Sequence, residues 1–200
     1  MEKTLNRRIH DFSKTTDILQ TIIIYLIALI VPTFLGATIK NIFGVTSIVT
    51  TNSQLIVGSI VNTALIITAI NLKGWNKIIG VITMPSISTI LSGYVFQTAS
   101  PYLVWMIPAI WLGNFALVYA YKFFMLSKKT NYFLAGIIGI TVKVLVIALG
   151  FAIVRSFGIF PEKMVSNLQI AMTTTQVITA TIGACISYAI YFTEKKLLDK

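Results

Sequence analysis

Six long apolar segments alternate with short polar stretches along this 200-residue chain. They cover residues 19–39, 54–72, 78–96, 102–124, 131–157 and 168–192. Crossing the hydrocarbon core of a membrane as an α-helix takes about 20 predominantly apolar residues. The pattern therefore predicts an all-α integral membrane protein with six transmembrane helices.

Polar residues flank the apolar segments on both sides. Residues 1–18 form a basic leader and residues 194–200 a short tail, so the six-helix transmembrane domain is predicted at 19–193. We expect the leader to be a solvated tail at the cytoplasmic surface. Because no apolar core leads from it to an A-x-A site, no cleavable signal peptide is expected. Residues 40–53 are too polar to span the membrane and are predicted to form an external loop.

Single residues predict irregularities inside the helices. Asp17 is predicted to cap the amino terminus of the first helix, and Pro32 to kink it. The Met84-Pro85-Ser86 sequence is predicted to break the third helix in its middle. The sixth helix is predicted to carry the polar run Thr-Thr-Thr-Gln, residues 173–176, near its start.

The basic residues predict how the protein lies in the membrane. Of the sixteen lysines and arginines, the leader holds four and the second–third loop holds two. The fourth–fifth loop, with Lys122 counted in it, holds three, and the tail holds three. The opposite side holds only Lys40, Arg155 and Lys163. Since cytoplasmic loops carry an excess of Lys and Arg, twelve against three predicts a multi-pass plasma-membrane protein with both termini in the cytoplasm.

Composition narrows the chemistry that this chain can perform. Its 56% hydrophobic content and mean hydropathy of +0.85 are typical of polytopic membrane proteins. His10 is the only histidine and Cys185 the only cysteine, so this chain alone predicts no metal site, iron–sulfur cluster or internal disulfide. All six acidic residues lie outside the apolar segments: Glu2, Asp11, Asp17, Glu162, Glu194 and Asp199. This speaks against proton-coupled carriers and aspartyl proteases, which need a carboxylate within the membrane.

Sequence motifs for nucleotides and for catalysis are missing. The chain contains no G-x-x-x-x-G-K-[ST], G-x-G-x-x-G, G-x-S-x-G or H-E-x-x-H. The net charge of +10 is spread over loops and tails, so no nucleic-acid partner is expected. We expect no enzymatic activity and no cofactor, and the energy for any uphill transport would have to come from other chains.

Lys143 is the residue around which the functional interpretation is built. It lies in the middle of the fifth apolar segment, where a lysine costs roughly 2.5–3.5 kcal/mol on insertion scales. Either membrane interface is about 18 Å away at ~1.5 Å per residue, which is farther than a lysine side chain reaches. An acceptor inside the protein, or a ligand, must therefore bind its ammonium group.

Polar residues in four other segments are predicted to lie at a similar depth. Asn62, Asn114 and Gln176 fall, with Lys143, roughly 12–18 Å from the outer surface at ~1.5 Å per residue, and Ser86 lies beside Pro85 at a comparable depth. Small residues accompany the polar ones, which suggests faces turned toward other helices. Together with Trp111, these residues are the candidate ligand-binding set: Asn62, Ser86, Trp111, Asn114, Lys143 and Gln176.

Two interpretations of this polar belt remain open. In the first, the belt lines a ligand pocket that opens outward, with Lys143 as counter-ion or hydrogen-bond donor to an anionic ligand. In the second, it is a structural network in which the amide oxygens of Asn114 and Gln176 bind Lys143. The aromatic residues Tyr94, Tyr102, Trp105 and Trp111 could stack on a flat ligand, but Tyr102 and Trp105 are equally typical of an interfacial aromatic belt.

The general plan resembles the substrate-binding (S) components of energy-coupling-factor transporters. Those are six-helix membrane proteins of about this length, driven by a separate membrane scaffold and two ATPase subunits, and they capture vitamins or metal-related substrates from outside. The resemblance implies a small-molecule ligand held in the outer half of the bundle beneath the first, third and fifth loops. The A-x-x-x-A docking signature of many S components is not intact here, and Ala28, Pro32 and Gly36 would substitute for it.

Local motifs resemble, more specifically, a small bacterial membrane family often labelled "iron hydrogenase". The resemblance covers residues 54–187, and the shared features, in chain order, are VNTALI at 61–66, MPS at 84–86, P-x(4)-GN at 108–114, Asn131, Tyr132, Lys143 and Gln176. Because hydrogenase clusters need several cysteine ligands, the enzymatic label is not expected to apply to a chain with one cysteine.

Three functions are compatible with these features. The favoured one is the substrate-capturing subunit of an ATP-driven importer, with membrane lipids, a scaffold subunit and two ATPases as partners. The alternative is a non-catalytic structural or assembly subunit of a larger membrane complex, in which the polar belt holds helices together. An intramembrane enzyme is disfavoured by the lack of buried carboxylates, histidines and cysteines.

Overall fold

The computed structural model describes residues 1–43, 53–93 and 95–198. The predicted loop at 40–53 lies mostly outside these residues, as do Tyr94 and the last two residues of the tail. The described chain forms nine α-helices, namely α1 (Glu2–Leu5), α2 (Lys14–Ile30), α3 (Gly36–Phe43), α4 (Ser53–Asn71), α5 (Trp75–Ser92), α6 (Ile107–Ala120), α7 (Tyr132–Ser156), α8 (Glu162–Met172) and α9 (Thr174–Leu198). Two π-helical stretches, Val31–Leu35 and Tyr121–Ser127, continue α2 and α6, and a 3₁₀ helix, Gln97–Met106, precedes α6.

Five helical stretches are long and apolar enough to cross a membrane. They are Lys14–Phe34, Ser53–Asn71, Thr98–Ser127, Tyr132–Ser156 and Glu162–Leu198. The prediction of an all-α protein is confirmed for the described residues, and the architecture is that of a helical membrane protein. α5 is not among the five, because Trp75, Asn76 and Lys77 make its first turn polar, so the count of six spans stays a prediction.

The central helix of the bundle is α4, in which eleven of 19 residues are buried. It runs parallel to α9, as the contacts of Gln54 with Ala171 and of Asn71 with Glu194 show. A Cβ atom on Gly183 would lie 2.7 Å from the Asn62 Cβ, so this glycine allows the two backbones to approach closely. The close contact is what places Asn62 against α9.

Two further helix pairs complete the frame around α4. α2 and α5 run parallel, since Asp17 contacts Lys77 at one end and the Ser92 hydroxyl lies 3.5 Å from the Pro32 carbonyl at the other. α6 and α7 are antiparallel and pack tightly, because Gly113 faces Ile147 where a Cβ would meet its Cγ1 at 2.8 Å. These pairs put the middle of α4, α5, α6, α7 and the start of α9 around one interior space.

The two prolines for which an irregular helix was predicted, Pro32 and Pro85, differ in their effect on the backbone. Pro32 lies in the π-helical stretch Val31–Leu35, which agrees with the predicted irregularity, since a wider turn accommodates the missing N–H and the bulk of the ring. The predicted break at Pro85 is wrong: α5 continues through it from Trp75 to Ser92. Neighbouring helices can bind the backbone groups that a proline releases inside a membrane helix.

The prediction that Asp17 caps the first helix is also wrong. The helix begins earlier, with Ser13 as its N-cap, and the Ser13 hydroxyl accepts a hydrogen bond from the Thr16 N–H at 3.2 Å. The Asp17 carboxylate instead forms salt bridges with Arg8, at 2.9 Å, and with Lys77. A charged partner within reach outweighs a role at the helix terminus.

The basic leader is folded onto the end of the bundle, which corrects the prediction of a solvated tail. Leu5 is 5% exposed, and its carbonyl accepts a hydrogen bond from the Gly74 N–H at 3.3 Å. The Ile9 N–H donates to the Ile70 carbonyl at 3.0 Å. The leader thereby covers the turn between α4 and α5, and we call this side of the molecule the leader end.

The last predicted helix is two helices. α8 ends at Met172, and α9 begins at Thr174 after Thr173, whose φ of −122° and ψ of −86° are not helical. The break brings Met172 and Gln176 to the same end of the bundle as the 3₁₀ helix. We call this side, opposite the leader, the cavity end.

Candidate functional site: a cavity beside Lys143

Lys143 lies on the face of α7 that packs against the rest of the bundle. The side chain of Asn131 caps the helix by accepting a hydrogen bond from the Leu134 N–H at 2.7 Å. From there the buried positions Gly136, Gly139, Lys143 and Ile147 recur every three or four residues. Helical periodicity therefore carries Lys143 inward, and it is 2% exposed.

The ammonium group of Lys143 donates a hydrogen bond to the side chain of Asn62. The Nζ–Oδ1 distance is 2.5 Å. The orientation of the amide follows from its other bonds, because Asn62 Nδ2 donates to the Gly58 carbonyl at 2.8 Å and to the Thr179 hydroxyl at 3.2 Å. With its N–H bonds used in this way, Asn62 presents its oxygen to Lys143.

A cavity of about 90 Å³ lies next to this pair. Its polar lining comes from five helices and consists, among the described residues, of Gln54, Asn62, Ser86, Thr89, Asn114, Lys143 and Gln176. Five of the six predicted ligand-binding residues therefore surround one space, as their similar depth in the sequence predicts. Whether they bind a ligand remains a prediction.

Apolar side chains close the rest of the cavity. They come mainly from α4, α5, α6 and the segment at the cavity end, and include Val57, Val61, Ile90, Phe96, Leu103 and Ile110. Pockets for small molecules typically combine such an apolar wall with a few placed polar groups. At 90 Å³ the space admits a group of a few atoms, well below the roughly 300–1,000 Å³ of sites for drug-sized ligands.

The hydroxyl of Ser86 is a polar group at this site that has no hydrogen-bond partner among the described residues. The residue is 7% exposed. A serine inside a helix commonly donates to the carbonyl four residues earlier, here that of Ile82. That carbonyl accepts a hydrogen bond from Asn114 Nδ2 at 3.2 Å instead, so the Ser86 hydroxyl remains available at the cavity wall.

Asn114 and Gln176 do not bind Lys143, which overturns the predicted structural network in its stated form. Asn114 donates to the Ile82 carbonyl, near the site where Pro85 interrupts the hydrogen bonds of α5. Gln176 Nε2 donates to the Ala171 carbonyl at 3.3 Å, and Gln54 Nε2 donates to the same carbonyl at 3.1 Å. Gln54 and Gln176 bind a carbonyl in the last turn of α8, Asn114 joins α6 to α5, and the interhelical partner of Lys143 is Asn62.

Trp111 does not line the cavity. It lies on α6, one turn before Asn114, and packs against the core cluster that includes Leu65 and Ile78. Its indole N–H is buried without a hydrogen-bond partner among the residues that the structure covers. Trp111 and Asn114 are three residues apart, which at 100° per residue leaves about 60° between their directions, and this is enough for Asn114 to line the cavity while Trp111 packs against the core.

Acidic side chains do not neutralise Lys143. Its one hydrogen bond is to Asn62, and the salt bridges within the described parts of the chain involve Arg8, Lys77, Asp11 and Asp17 instead. Those residues lie at the leader end. Lys143 is also the only basic residue that lines the cavity within the part of the chain that the structure describes.

Thr179 and Gln54 belong to the site but were not predicted from the sequence. Thr179 follows Gln176 by three residues and shares the inward face of α9 with Ala180 and Gly183. This spacing is a usable signal for its hydrogen bond to Asn62. Gln54 carries no comparable signal, because its partner, the Ala171 carbonyl, is 117 residues away in sequence.

A second buried lysine, Lys122, lies at the end of the predicted helix at 102–124 and was counted with the fourth–fifth loop in the charge argument, but the structure buries it in the bundle. It lies in the π-helical stretch Tyr121–Ser127 and is 0% exposed. Its ammonium group donates to the carbonyls of Arg7 at 2.6 Å and Leu72 at 2.7 Å. The helix extends past its predicted end at 124, so Lys122 lies more than one turn before the true end and is carried into the bundle.

Groups of three or more His, Cys, Asp or Glu side chains that could hold a metal ion do not occur in the described part of the chain. Comparisons with protein-family models, curated proteins and solved structures gave no match. The resemblance to S components therefore rests on the overall plan alone, and the resemblance to the small bacterial membrane family rests on the short motifs alone.

Proposed function

We propose that this protein is the substrate-capturing membrane subunit of an ATP-driven importer of the energy-coupling-factor type. It binds a small anionic ligand, vitamin-like or metal-related, from outside the cell. The observation that supports this most is the cavity beside Lys143, a buried ammonium group with one hydrogen bond in the described structure. Buried polar groups normally find hydrogen-bond partners, and two of the three N–H bonds of Lys143 have none among the described residues.

The proposed topology is six spans with both termini in the cytoplasm. α5 is the uncertain span by hydropathy, but it runs parallel to α2 from the Asp17–Lys77 salt bridge to the Pro32–Ser92 contact. A helix that packs alongside a membrane-spanning helix over its whole length is expected to cross the membrane with it. The leader end, which carries most of the basic residues, would then face the cytoplasm and the cavity end the exterior.

This topology can be tested by labelling single cysteines in intact cells after replacing Cys185 by Ala. A cysteine at Lys163 should react with a membrane-impermeant maleimide, and one at Lys128 should react only after the cells are permeabilised. The reverse pattern would place the cavity on the cytoplasmic side and contradict capture from outside.

The partners implied by the proposal are a membrane scaffold and two ATPase subunits. Purifying the tagged protein from its own cells in mild detergent, followed by mass spectrometry, should identify such a set in stoichiometric amounts. Recovery of a stable complex without ATPases would contradict the proposal.

The alternative is a structural or assembly subunit, and one observation favours it. The Lys143–Asn62 hydrogen bond joins α7 to α4 and, through Thr179, to α9, which is what a network holding helices together would do. The two functions differ in what Lys143→Met does. It should lower ligand affinity and spare assembly in the importer, whereas it should impair complex assembly in a structural subunit.

A further inference from the structure

Two groups in the cavity, Lys143 and Ser86, have hydrogen-bond donors without an acceptor among the described residues. An ammonium group has three N–H bonds, and Lys143 uses one of them for Asn62 within the described structure. The Ser86 hydroxyl, also buried, has no partner among the same residues. A group that binds both must accept hydrogen bonds, and a buried donor left without an acceptor is unfavourable.

The charge of the cavity favours a ligand group with a single negative charge. Among the residues that the structure describes, Lys143 is the only basic residue in the lining, and no acidic residue lines it. One ammonium group in an apolar surrounding is matched by one negative charge, because any excess charge would remain desolvated and unpaired. Inorganic phosphate, which carries more charge and needs more donors, does not meet this condition.

The wall of the cavity favours an organic ligand over a bare ion. Val57, Val61, Ile90, Phe96, Leu103 and Ile110 face the same space as Lys143. These side chains offer an ion such as chloride no hydrogen bonds, but they remove apolar surface of a ligand from water. The volume of about 90 Å³ corresponds to about three water molecules in the liquid, which admits a carboxylate group and a short adjoining chain.

We propose that the cavity binds an organic monocarboxylate. The carboxylate oxygens would accept hydrogen bonds from Lys143 and Ser86, and the adjoining carbon chain would pack against the apolar wall of α4, α5 and residues 95–103. This assignment rests on the proposed function, since it names the chemical class of the substrate that the importer would capture.

Matched pairs of ligands test the class directly. Purified full-length protein in lipid nanodiscs is titrated with linear monocarboxylates from acetate to hexanoate and with the corresponding neutral amides. Binding is followed by isothermal titration calorimetry. The carboxylate of at least one pair should bind about 10- to 100-fold more tightly than its amide, as expected for a charged hydrogen bond in a buried site.

Variants test whether Lys143 and Ser86 cause the preference for carboxylate over amide. Lys143→Gln retains a hydrogen-bond donor for Asn62 but removes the charge, and it should abolish the preference for carboxylate over amide. Ser86→Ala should weaken carboxylate binding about 3- to 10-fold, as expected for one hydrogen bond. Lys195→Met, at an exposed position on α9, should leave both affinities unchanged.

Each outcome bears on the proposal. Equal affinity for carboxylate and amide in every pair, tighter binding of chloride or phosphate, or an unchanged preference in Lys143→Gln would overturn it. If Lys143→Gln does not fold, the ratio of carboxylate to amide affinity in the unaltered protein and the affinity of Ser86→Ala still test the proposal.

The class of ligand and the importer function can fail separately. Purification of scaffold and ATPase partners together with a preference for neutral ligands would retain the importer and reject the monocarboxylate. Lysine-dependent carboxylate binding without ATPase partners would retain the site and reject the importer.

Discussion

Two of the lysines that the structure describes, Lys122 and Lys143, are buried in this bundle without a carboxylate partner, and their surroundings differ. Lys122, at the leader end, donates to two backbone carbonyls, those of Arg7 and Leu72. Lys143, in the middle of α7, donates to a single side-chain oxygen and lines a cavity. Both are rare features of a protein interior, where lysine is almost never fully buried.

The difference indicates two roles for the same chemical group. The carbonyls that Lys122 binds belong to the leader and to the end of α4, so its ammonium group joins segments that are distant in sequence. Lys143 also joins helices, but it retains donors directed at open space. We therefore interpret Lys122 as a structural residue and Lys143 as a ligand-binding residue.

The largest expected effect is that of Lys122→Met on stability. This change leaves two buried carbonyls without their donor, at about 1–3 kcal/mol each. The thermal unfolding midpoint of the purified protein, followed by tryptophan fluorescence, should fall by several degrees, since about 1 kcal/mol corresponds to roughly 2–4 °C in chains of this size.

Lys195→Met is the control for that change, because it removes an exposed lysine near the end of α9 and should leave the midpoint unaltered. An unchanged midpoint in Lys122→Met would mean that the carbonyls find other partners, and the structural role would be rejected.

The next effect is that of Lys143→Met on ligand affinity. Losing a charged hydrogen bond should weaken binding by about 1.5–3 kcal/mol, or roughly 10- to 150-fold. The unfolding midpoint without ligand should change less than in Lys122→Met, because one amide oxygen rather than two carbonyls loses its donor. Calorimetry and thermal unfolding on the same preparations measure both quantities.

This second prediction fails if the two variants behave alike. A large loss of stability in Lys143→Met, with ligand affinity unchanged, would make Lys143 a structural residue of the same kind as Lys122.

A smaller effect is expected from Gly183→Ala, which acts on the site from α9. The added methyl group would come within 2.7 Å of the Asn62 Cβ, so α4 and α9 must separate. We expect a loss of about 1–3 kcal/mol in stability from overpacking, together with weaker ligand binding as Asn62 moves. Cys185→Ala, an exposed change two residues further along α9, should alter neither. Unchanged affinity in Gly183→Ala would show that the position of Asn62 does not matter for binding.

The smallest effect is expected from Thr179→Val, which removes the hydroxyl that orients Asn62. One hydrogen bond of 3.2 Å is lost, which corresponds to about 0.5–1.5 kcal/mol. Ligand affinity should fall a few-fold, because the amide oxygen is no longer fixed toward Lys143. Thr193→Val, whose hydroxyl binds only within its own helix at an exposed position, is the matched control. Equal affinities in the two variants would contradict the orienting role of Thr179.

The depth of the polar residues along their helices was predictable from the sequence, but the direction in which each one faces was not. Counting residues from the helix ends placed Asn62, Ser86, Asn114, Lys143 and Gln176 at one level, and the structure puts all five around one cavity. Which of them contact each other depends on how each helix is rotated. The sequence therefore suggested Asn114 and Gln176 as partners of Lys143, whereas Asn62 is the partner.

Long-range contacts account for the remaining differences. Lys122 was counted with the fourth–fifth loop because its carbonyl partners, at Arg7 and Leu72, lie 115 and 50 residues away in sequence. The leader was expected to be solvated because its polar composition does not reveal that Leu5 and Ile9 bind the turn after α4. No local pattern encodes contacts of this kind.

The central claim is that Lys143 binds a molecule taken up by the cavity, and native mass spectrometry tests it most directly. Protein purified from its own cells should carry a bound small molecule. That molecule should be lost in Lys143→Met and retained in Lys195→Met. A spectrum in which the unaltered protein carries no small molecule, or in which Lys143→Met retains the same one, would contradict the account.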